Sequence, residues 1–480
     1  MLRSTLKKLL SPKPSVPVRP TPARVLRMEV LEDRSVPATF TVGTNGLTTI
    51  QAALNAAAAR TGFDTVVVPT GTYTESVVIN DTFGVTLRAS GNAIIKAPAT
   101  VAAPSDLAAL GGAVIDVYSK NVTITGLTVN AAGSNANAGI RVIKGGDATI
   151  RNNTVTGVNA PADPAFGVGI QVGSRRVGIV AGAGNAVLEK NKITDYFAAG
   201  VLVDGGAASA TVTENTIIGR RGLNGGVTQY GVQMSYGASG SIEYNRISGN
   251  DTGNLGQFDV SAGVFLYQVG AKDVLVDANR VFGNEDGILV QSSAGGPGSI
   301  VISNNQVYSN TGFAGIDVID SSDVSITGNE VYSNDTLNGI ALGDSSQITV
   351  DENNVFDNVL ADGIYVYGGG GNTISSNVSR NNGYNGIFLE DSSSNTVASN
   401  TTRANDQNGV KVLRGSNNTL SFGTSNANGF DGILLEDTAN NSVTNYTLRN
   451  NGGYGLHLVS AIGTTKSNNT FSGNDLGDTN

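Results

Sequence analysis

The sequence contains no cysteine and no tryptophan among its 480 residues. Without cysteine the chain forms no disulfide and no thiolate metal site, so its stability depends on packing and hydrogen bonding. Without tryptophan, any aromatic platform for a sugar has to be built from tyrosine or phenylalanine. Histidine occurs once, at His457.

The first 38 residues also lack an apolar run of seven or more residues, although they are basic and rich in proline. This excludes an ordinary signal peptide and a membrane span in the segment. The segment holds eight Lys and Arg residues against three acids, which leaves 22 basic and 36 acidic residues in the rest, a net charge of −14. Such a body does not attract nucleic acid, and it repels polyanionic glycans unless cations or a local basic patch intervene.

What the sequence does contain is a repeat. A glycine followed by Ile, Val or Leu starts an alternating run thirteen times, at spacings near 30 at first and then at 23 or 24. Self-similarity at a period of about 20 to 50 residues indicates a stacked repeat architecture. The glycines are Gly139, Gly169, Gly200, Gly231, Gly263, Gly287, Gly315, Gly339, Gly363, Gly386, Gly409, Gly432 and Gly455.

Each repeat consists of two or three short runs rich in Val, Ile and Thr, separated by Gly, Asn, Asp and Ser, as is typical of strands and turns. No repeat holds the ten or so periodic residues that a helix pair needs, which excludes helical solenoids. The sequence therefore predicts an all-β fold, a parallel β-helix of three-stranded coils with about 13 rungs. A recurring asparagine is expected to stack from coil to coil through its side-chain amide. These asparagines are Asn191, Asn215, Asn245, Asn279, Asn305, Asn329, Asn353, Asn377 and Asn400, and in a second column Asn372, Asn395, Asn418 and Asn441.

A short capping helix is predicted before the repeats. Thr48 and Gln51 have the spacing of a capping box, and Ile50, Leu54 and Ala57 share one helical face. A helix over the first coil would cover strand edges that otherwise promote aggregation. The predicted domains are a basic leader over residues 1–38, the cap and first coil over 39–95, and the β-helix repeats over 96–480.

From about Phe40 onward the chain resembles the right-handed parallel β-helix proteins of the pectin-lyase-like superfamily, through its repeats and through "TTIQAAL" followed by "VVVPTGTYTESVVI". The resemblance implies a right-handed coil. It implies no site residue, because the active-site motifs of the polygalacturonase, pectin methylesterase and secreted alginate epimerase branches are absent, and no pectate-lyase-type cluster of acidic residues is evident.

The leader resembles an N-terminal motif of planctomycete secreted and surface proteins. This resemblance implies export, with removal or anchoring near Ala38, and an extracellular or cell-surface location; a basic tail is the alternative. The matching residues are Leu31, Glu32, Asp33, Arg34, Pro37 and Ala38.

Strand alternation predicts which side chains lie on the outer face of the sheet. After Gly386, Ile387 and Leu389 are expected to point inward, and Phe388 and Glu390 outward. The same alternation in every repeat predicts an exposed substrate-binding surface formed by Phe265, Tyr267, Asp317, Tyr365, Tyr367 and Phe388.

Glu390 and Glu436 are the candidate catalytic residues, with Lys411 diagonal to both. They lie two coils apart, about 9.6 Å at a strand spacing of about 4.8 Å. Two carboxylates about 6.5 to 9.5 Å apart suit inverting glycoside hydrolysis. Acid–Lys–acid stacking is also ordinary cross-strand pairing, so both interpretations stay open. His457 could serve as an acid or base but is predicted to be a surface residue.

Acidic residues also recur in turns, each followed by Ser or Thr, which is ordinary turn chemistry. Oxygens stacked at coil spacing can alternatively coordinate Ca²⁺, and no other cofactor or metal is predicted. The residues are Asp320, Asp344, Asp391 and Asp437.

Together these features predict an exported β-helix protein that binds a polysaccharide along its exposed sheet. They leave open whether it also cleaves the polysaccharide, as a lyase or a glycoside hydrolase. The alternative is a non-catalytic structural or adhesive rod at the cell surface. The expected partner is a polysaccharide or a cell-surface matrix, without nucleic acid or a membrane span.

Overall fold

The computed structural model describes residues 36–161, 166–178, 182–222, 227–251, 260–296, 298–334 and 338–480. Pro37–Asn480 forms one compact unit. The predicted leader, with the motif from Leu31 to Arg34, lies outside the described residues except for residues 36–38.

Successive coils add one strand each to a parallel sheet of 16 strands, called the front sheet here. Thirteen of these strands are the glycine-led strands predicted from the repeat; two precede them and one follows. The bounds are Val77–Ile79, Ala113–Val117, Ala138–Val142, Val168–Val172, Ala199–Asp204, Tyr230–Ser235, Ala262–Tyr267, Asp286–Gln291, Ala314–Ile319, Asn338–Gly343, Ile364–Tyr367, Ile387–Glu390, Val410–Leu413, Ile433–Glu436, Tyr454–Val459 and Gly477–Thr479.

The other strands form a second and a third parallel ladder. Three early strands, Thr39–Thr41, Asp64–Thr74 and Val85–Lys96, begin them, and the last of these is long enough to pair with both. The second ladder continues with Val122–Thr125, Gly146–Arg151, Gly184–Glu189, Ala208–Thr213, Ser239–Glu243, Val274–Asp277, Ile300–Ser303, Val324–Thr327, Thr349–Asp351, Thr373–Ser375, Thr396–Ala398, Thr419–Ser421, Ser442–Thr444 and Thr465–Ser467. The third continues with Thr128–Asn130, Thr154–Thr156, Lys192–Thr194, Thr216–Ile218, Arg246–Ser248, Arg280–Phe282, Gln306–Tyr308, Glu330–Tyr332, Asn354–Phe356, Val378–Arg380, Thr401–Arg403, Thr424–Asn426, Thr447–Arg449 and Thr470–Ser472.

The asparagine columns are confirmed as ladders of buried amides. In a typical step, the backbone N–H and the side-chain Nδ2 of Asn377 donate to Oδ1 of Asn400, at 2.9 and 3.0 Å. Each amide therefore satisfies polar groups that would otherwise be unpaired inside the coil. A further ladder was not predicted; it consists of Asn250, Asn284, Asn310, Asn334, Asn358, Asn382, Asn405, Asn428, Asn451 and Asn474.

One ladder is interrupted at Gly423 and Tyr446. A Cβ at Gly423 would lie 2.4 Å from Cε1 of Tyr446, so the glycine makes room for the ring. The ring is fully buried, and burial raises the pKa of Tyr446. The ladder then resumes, because the backbone N–H of Tyr446 donates to Oδ1 of Asn469 at 2.9 Å.

The capping helix is confirmed as Ile50–Ala58. The predicted capping box is wrong by one residue, because Oγ1 of Thr49, not Thr48, accepts from Ala52 N at 3.0 Å. The remaining free N–H groups of the first turn donate to the Glu75 carboxylate, which a later strand connection supplies. A capping partner distant in sequence is invisible to a local spacing rule.

A short 3-10 helix follows at Ser105–Leu110. Across the part of the chain that the structure describes, no helix has the length and apolar character needed to cross a membrane.

Candidate functional site

The strand register confirms the predicted columns on the outer face of the front sheet. Leu413 pairs with Glu390 on one side and Glu436 on the other, so two coils separate the carboxylates. In the neighbouring column, Phe388 pairs with Tyr365 and with Lys411.

The earlier part of this face is covered. The prediction that Phe265 and Asp317 are exposed is wrong, since they are 7% and 1% exposed. Phe265 stacks on Tyr230 with ring centroids 4.5 Å apart and packs against Leu289. Tyr267 is half-buried in the same cluster. In every coil from Arg141 to Gly343, at least one of the two outward positions is buried.

Nearer the N-terminus, the same face carries a buried ion pair. Arg141 is fully buried, and its Nε donates to Oδ1 of Asp116 at 2.6 Å. Its Nη1 donates to the carbonyl of Gly111 at 3.0 Å. The preceding residues Leu107 and Leu110 pack against Ile143, so the 3-10 helix covers this end of the sheet.

From Tyr365 onward both outward positions of every coil reach solvent at least in part. We call this surface the open strip. It consists of Tyr365, Tyr367, Phe388, Glu390, Lys411, Leu413, Leu434, Glu436, His457 and Val459.

Aromatic side chains occupy the first coils of the open strip. Tyr367 is 46% exposed. Tyr365 stacks on Phe388 with centroids 5.3 Å apart, and its hydroxyl donates to Oε2 of Glu390 at 2.8 Å. Burial, together with that hydrogen bond to Glu390, raises the pKa of Tyr365.

The candidate catalytic carboxylates are both ion-paired. Glu436 lies 3.0 Å from Nζ of Lys411. Glu390 accepts from Nη2 of Arg414 at 2.6 Å, and the same guanidinium holds the pKa of Asp391 below its usual range. Catalysis by Glu390, Glu436 and Lys411 stays a prediction.

At the end of the strip lies a groove of about 540 Å³ that sequence reasoning missed. Nδ1 of His457 lies 2.8 Å from Oδ2 of Asp431, whose other oxygen accepts from the backbone N–H of Tyr454. Phe430, Leu434, Glu436 and Leu476 also line the groove. The sequence predicted His457 to be a surface residue; in the structure it is half-buried.

Asp431 belongs to a column of Asp and Asn residues that is visible in the repeat, although it was not predicted. It precedes Gly432, just as Asp362, Asn385 and Asn408 precede the glycines of their own repeats. These residues form a ladder in which Asn385 donates to Asp362, Asn408 to Asn385 and the backbone N–H of Asp431 to Asn408. Burial raises the pKa of Asp362 to about 6.

Two more carboxyls are buried in the covered part. Burial raises the pKa of Asp286 to about 7. Burial, reinforced by the charge of Asp286, also raises the pKa of Asp317. Asp317, predicted to bind substrate, is therefore separated from solvent and from the open strip.

The acidic turn residues adopt the left-handed conformation, with φ between 46° and 52°, at Asp320, Asp344, Asp391 and Asp437. This agrees with their turn role. Among the residues that the structure describes, no three His, Cys, Asp or Glu side chains are grouped so that they could hold a metal ion. Calcium binding stays a prediction.

A second aromatic array lies on the third ladder. Phe282, Tyr308, Tyr332 and Phe356 stack with centroids 5.0 to 5.1 Å apart and planes within 8°. Arg246 and Arg380 lie over the two end rings, at 4.2 and 4.1 Å. Both faces of each ring are therefore occupied.

A family model described as right handed beta helix region matches residues 70–222, 177–355 and 338–478. No curated protein matches the chain. Similar solved structures include the periplasmic alginate epimerase AlgG, at 16% identity over 82% of this chain and 78% of that chain, TM-score 0.38. They also include the A-module of Azotobacter vinelandii mannuronan C-5 epimerase AlgE6, at 15% identity over 90% of each chain, TM-score 0.29. The Dettilon tailspike protein gp208 is 13% identical over 90% of this chain and 68% of that chain, TM-score 0.34.

Proposed function

This chain belongs to the right-handed β-helix family, and we propose that it binds a polysaccharide along the open strip of its front sheet. The supporting observation is that the outer face, covered in earlier coils, opens over five consecutive coils, with Tyr365, Tyr367 and Phe388 at its start and Glu390, Lys411 and Glu436 after them. Five coils span about 19 Å at the strand spacing of a sheet. A linear polymer needs such a continuous surface.

The chemistry of the strip suits sugar rings. Tyr365, Tyr367 and Phe388 supply apolar area with few rotatable bonds, and the carboxylates of Glu390 and Glu436 accept hydrogen bonds from hydroxyl groups. Sites for small polar molecules generally combine apolar walls with a few fixed polar groups. On this proposal Lys411 positions Glu436 through their ion pair.

The protein could also cleave the polysaccharide that it binds, and the alternative function is a non-catalytic structural rod. The ion pairs of Glu390 with Arg414 and of Glu436 with Lys411 hold both carboxylates in place as hydrogen-bond acceptors, which supports binding without cleavage. The leader motif predicts export to the cell surface or the extracellular space, and a polysaccharide partner fits that location.

The test is to incubate the full chain with a panel of acidic and neutral polysaccharides, with and without Ca²⁺, and to measure both retention and product release. We expect retention, and we expect Tyr367→Ala to weaken it about tenfold, or about 1.4 kcal/mol. Tyr244→Ala is the matched control, because Tyr244 is 62% exposed but lies outside the strip.

Product release that Glu390→Gln or Glu436→Gln abolishes would establish an enzyme with those carboxylates in its site. Retention without products would establish a binding module. If no polysaccharide is retained, the proposal is wrong and the structural rod is the better interpretation.

A further inference from the structure

We propose that the groove beside His457 is a subsite for an uncharged sugar unit; this inference rests on the polysaccharide binding proposed above. The groove adjoins the open strip through Glu436, which lines it and pairs with Lys411. It thus continues the strip beyond the residues predicted to bind substrate.

The apolar walls of the groove leave a slot of about one sugar ring. Phe430, Gly453 and Leu476 occupy equivalent positions in three successive coils, since Gly453 N donates to the Phe430 carbonyl and Leu476 N to the Gly453 carbonyl. Phe430 and Leu476 are therefore two coils apart, about 9.6 Å. Gly453 places no side chain between them.

The two walls are also unusually exposed for apolar side chains. Phe430 is 57% and Leu476 64% exposed. Within the part of the chain that the structure describes, the Phe430 ring stacks on no other ring and on no cation, unlike the rings from Phe282 to Phe356. A ring with a free face can pack against the C–H face of a sugar, whereas a ring covered on both sides presents only its edge.

The polar wall of the groove can bind hydroxyl groups. In the neutral imidazole, the Nδ1–H of His457 donates to Asp431, which leaves Nε2 as an acceptor. Asp431 is itself fixed, because its second carboxylate oxygen accepts from the backbone N–H of Tyr454 at 2.6 Å. Glu436 adds further acceptor oxygens. Hydroxyl groups of a sugar can donate to Nε2 of His457 and to the carboxylate of Glu436.

The charges that line the groove favour an uncharged ligand. Two carboxylates, Asp431 and Glu436, line the groove. Among the described side chains of the strip and its flanking turn, Lys411 is already paired with Glu436, and Arg414 with Glu390 and Asp391. A carboxylated or sulfated sugar would meet two negative charges without an unpaired cation, and unpaired or like charges at a binding site are costly.

The experiment compares polyuronates with their carboxyl-reduced forms, which keep the linkages but replace each carboxylate with a CH2OH group. Dissociation constants for the full chain are measured by titration calorimetry at one fixed ionic strength. We expect at least one carboxyl-reduced glycan to bind about ten times more tightly than its parent, and Phe430→Ala to weaken its binding about tenfold. His457→Gln should weaken it as well.

Phe422→Ala is the control, since Phe422 is 66% exposed and does not line the groove; it should bind like the unaltered chain. Tighter binding of the charged parents, or equal binding by the Phe430→Ala and Phe422→Ala variants, would overturn the subsite while leaving binding along the strip intact. Binding of no glycan in the panel would overturn the proposed function, and the subsite with it.

Discussion

Phe265 and Phe388 occupy the same outward-facing column of the front sheet, yet they meet different surroundings. Phe265 is 7% exposed and packs in a cluster with Tyr230 and Leu289, whereas Phe388 is only half-buried. Strand alternation determines which side of a sheet a residue faces. Whether that side reaches solvent depends on what lies over it, and the earlier coils cover their outer face while the later coils leave it open.

The same contrast holds for charges. The guanidinium of Arg141 is completely buried against Asp116, whereas that of Arg414 is exposed beside Glu390 and Asp391. Burial removes the solvent that would otherwise stabilise each charge alone. Arg141 therefore fixes the end of the 3-10 helix over the front sheet, and Arg414 positions two carboxylates on the open surface.

Removing the buried charge should have the largest effect. Arg141→Met leaves the Asp116 carboxylate buried without its partner and deprives the carbonyl of Gly111 of its donor. We expect it to lower the free energy of unfolding by about 3–5 kcal/mol. Arg414→Met, the matched change in the open part, should cause no measurable loss. Urea denaturation of both variants checks this; equal losses would contradict the distinction between covered and open coils.

The two phenylalanines provide a direct test of the comparison. Phe265→Ala should lower the free energy of unfolding by about 3 kcal/mol, because it opens a cavity in a covered cluster. Phe388→Ala should cost much less, since its ring is partly solvated, but it should weaken polysaccharide retention. Thermal unfolding and retention, measured on both variants, separate the two effects. A larger stability loss for Phe388→Ala than for Phe265→Ala would show that the covered cluster is not the more tightly packed one.

The buried carboxyl of Asp286 should make stability depend on pH. Its pKa is raised from 3.8 to about 7 in the folded chain, so between pH 8 and pH 6 the folded state takes up a proton while the unfolded state stays ionised. Asp286 should therefore contribute a rise in stability of about 1.4 kcal/mol as the pH falls from 8 to 6, to which Asp362 adds a smaller amount. Asp286→Asn should be more stable than the unaltered chain at pH 8 and should lose the part of the pH dependence that Asp286 contributes. Thermal unfolding at both pH values is the measurement, and an unchanged pH dependence in the variant would contradict the assignment.

The sequence was sufficient for the features that depend on the backbone. The thirteen glycine-led strands, the pairing of Glu390 through Leu413 to Glu436, and the amide ladder from Asn191 to Asn400 are repeated at every coil, so a periodic pattern reveals them. Each copy supports the others, which is why their register could be predicted.

The features that were missed depend on contacts between particular side chains. The pairing of His457 with Asp431 joins residues 26 apart, one repeat plus a short offset, and only a single copy exists. The burial of Phe265 by Tyr230 and Leu289, like the use of Glu75 to complete the helix cap, depends on residues more than 20 positions away in sequence. A periodic pattern carries no information about contacts that occur once.

The interruption at Gly423 and Tyr446 also bears on how the chain avoids misassembly. Coils of 23 residues carry asparagines at the same positions. A coil displaced by one repeat would therefore still form the amide hydrogen bonds of the ladders, which permits pairing with the wrong coil. The Tyr446 ring fits where Gly423 has no side chain; after displacement by one coil it would face Asn400 instead. The contact between Tyr446 and Gly423 therefore favours one register of the stack, and the coils that follow Tyr446 are added in that register.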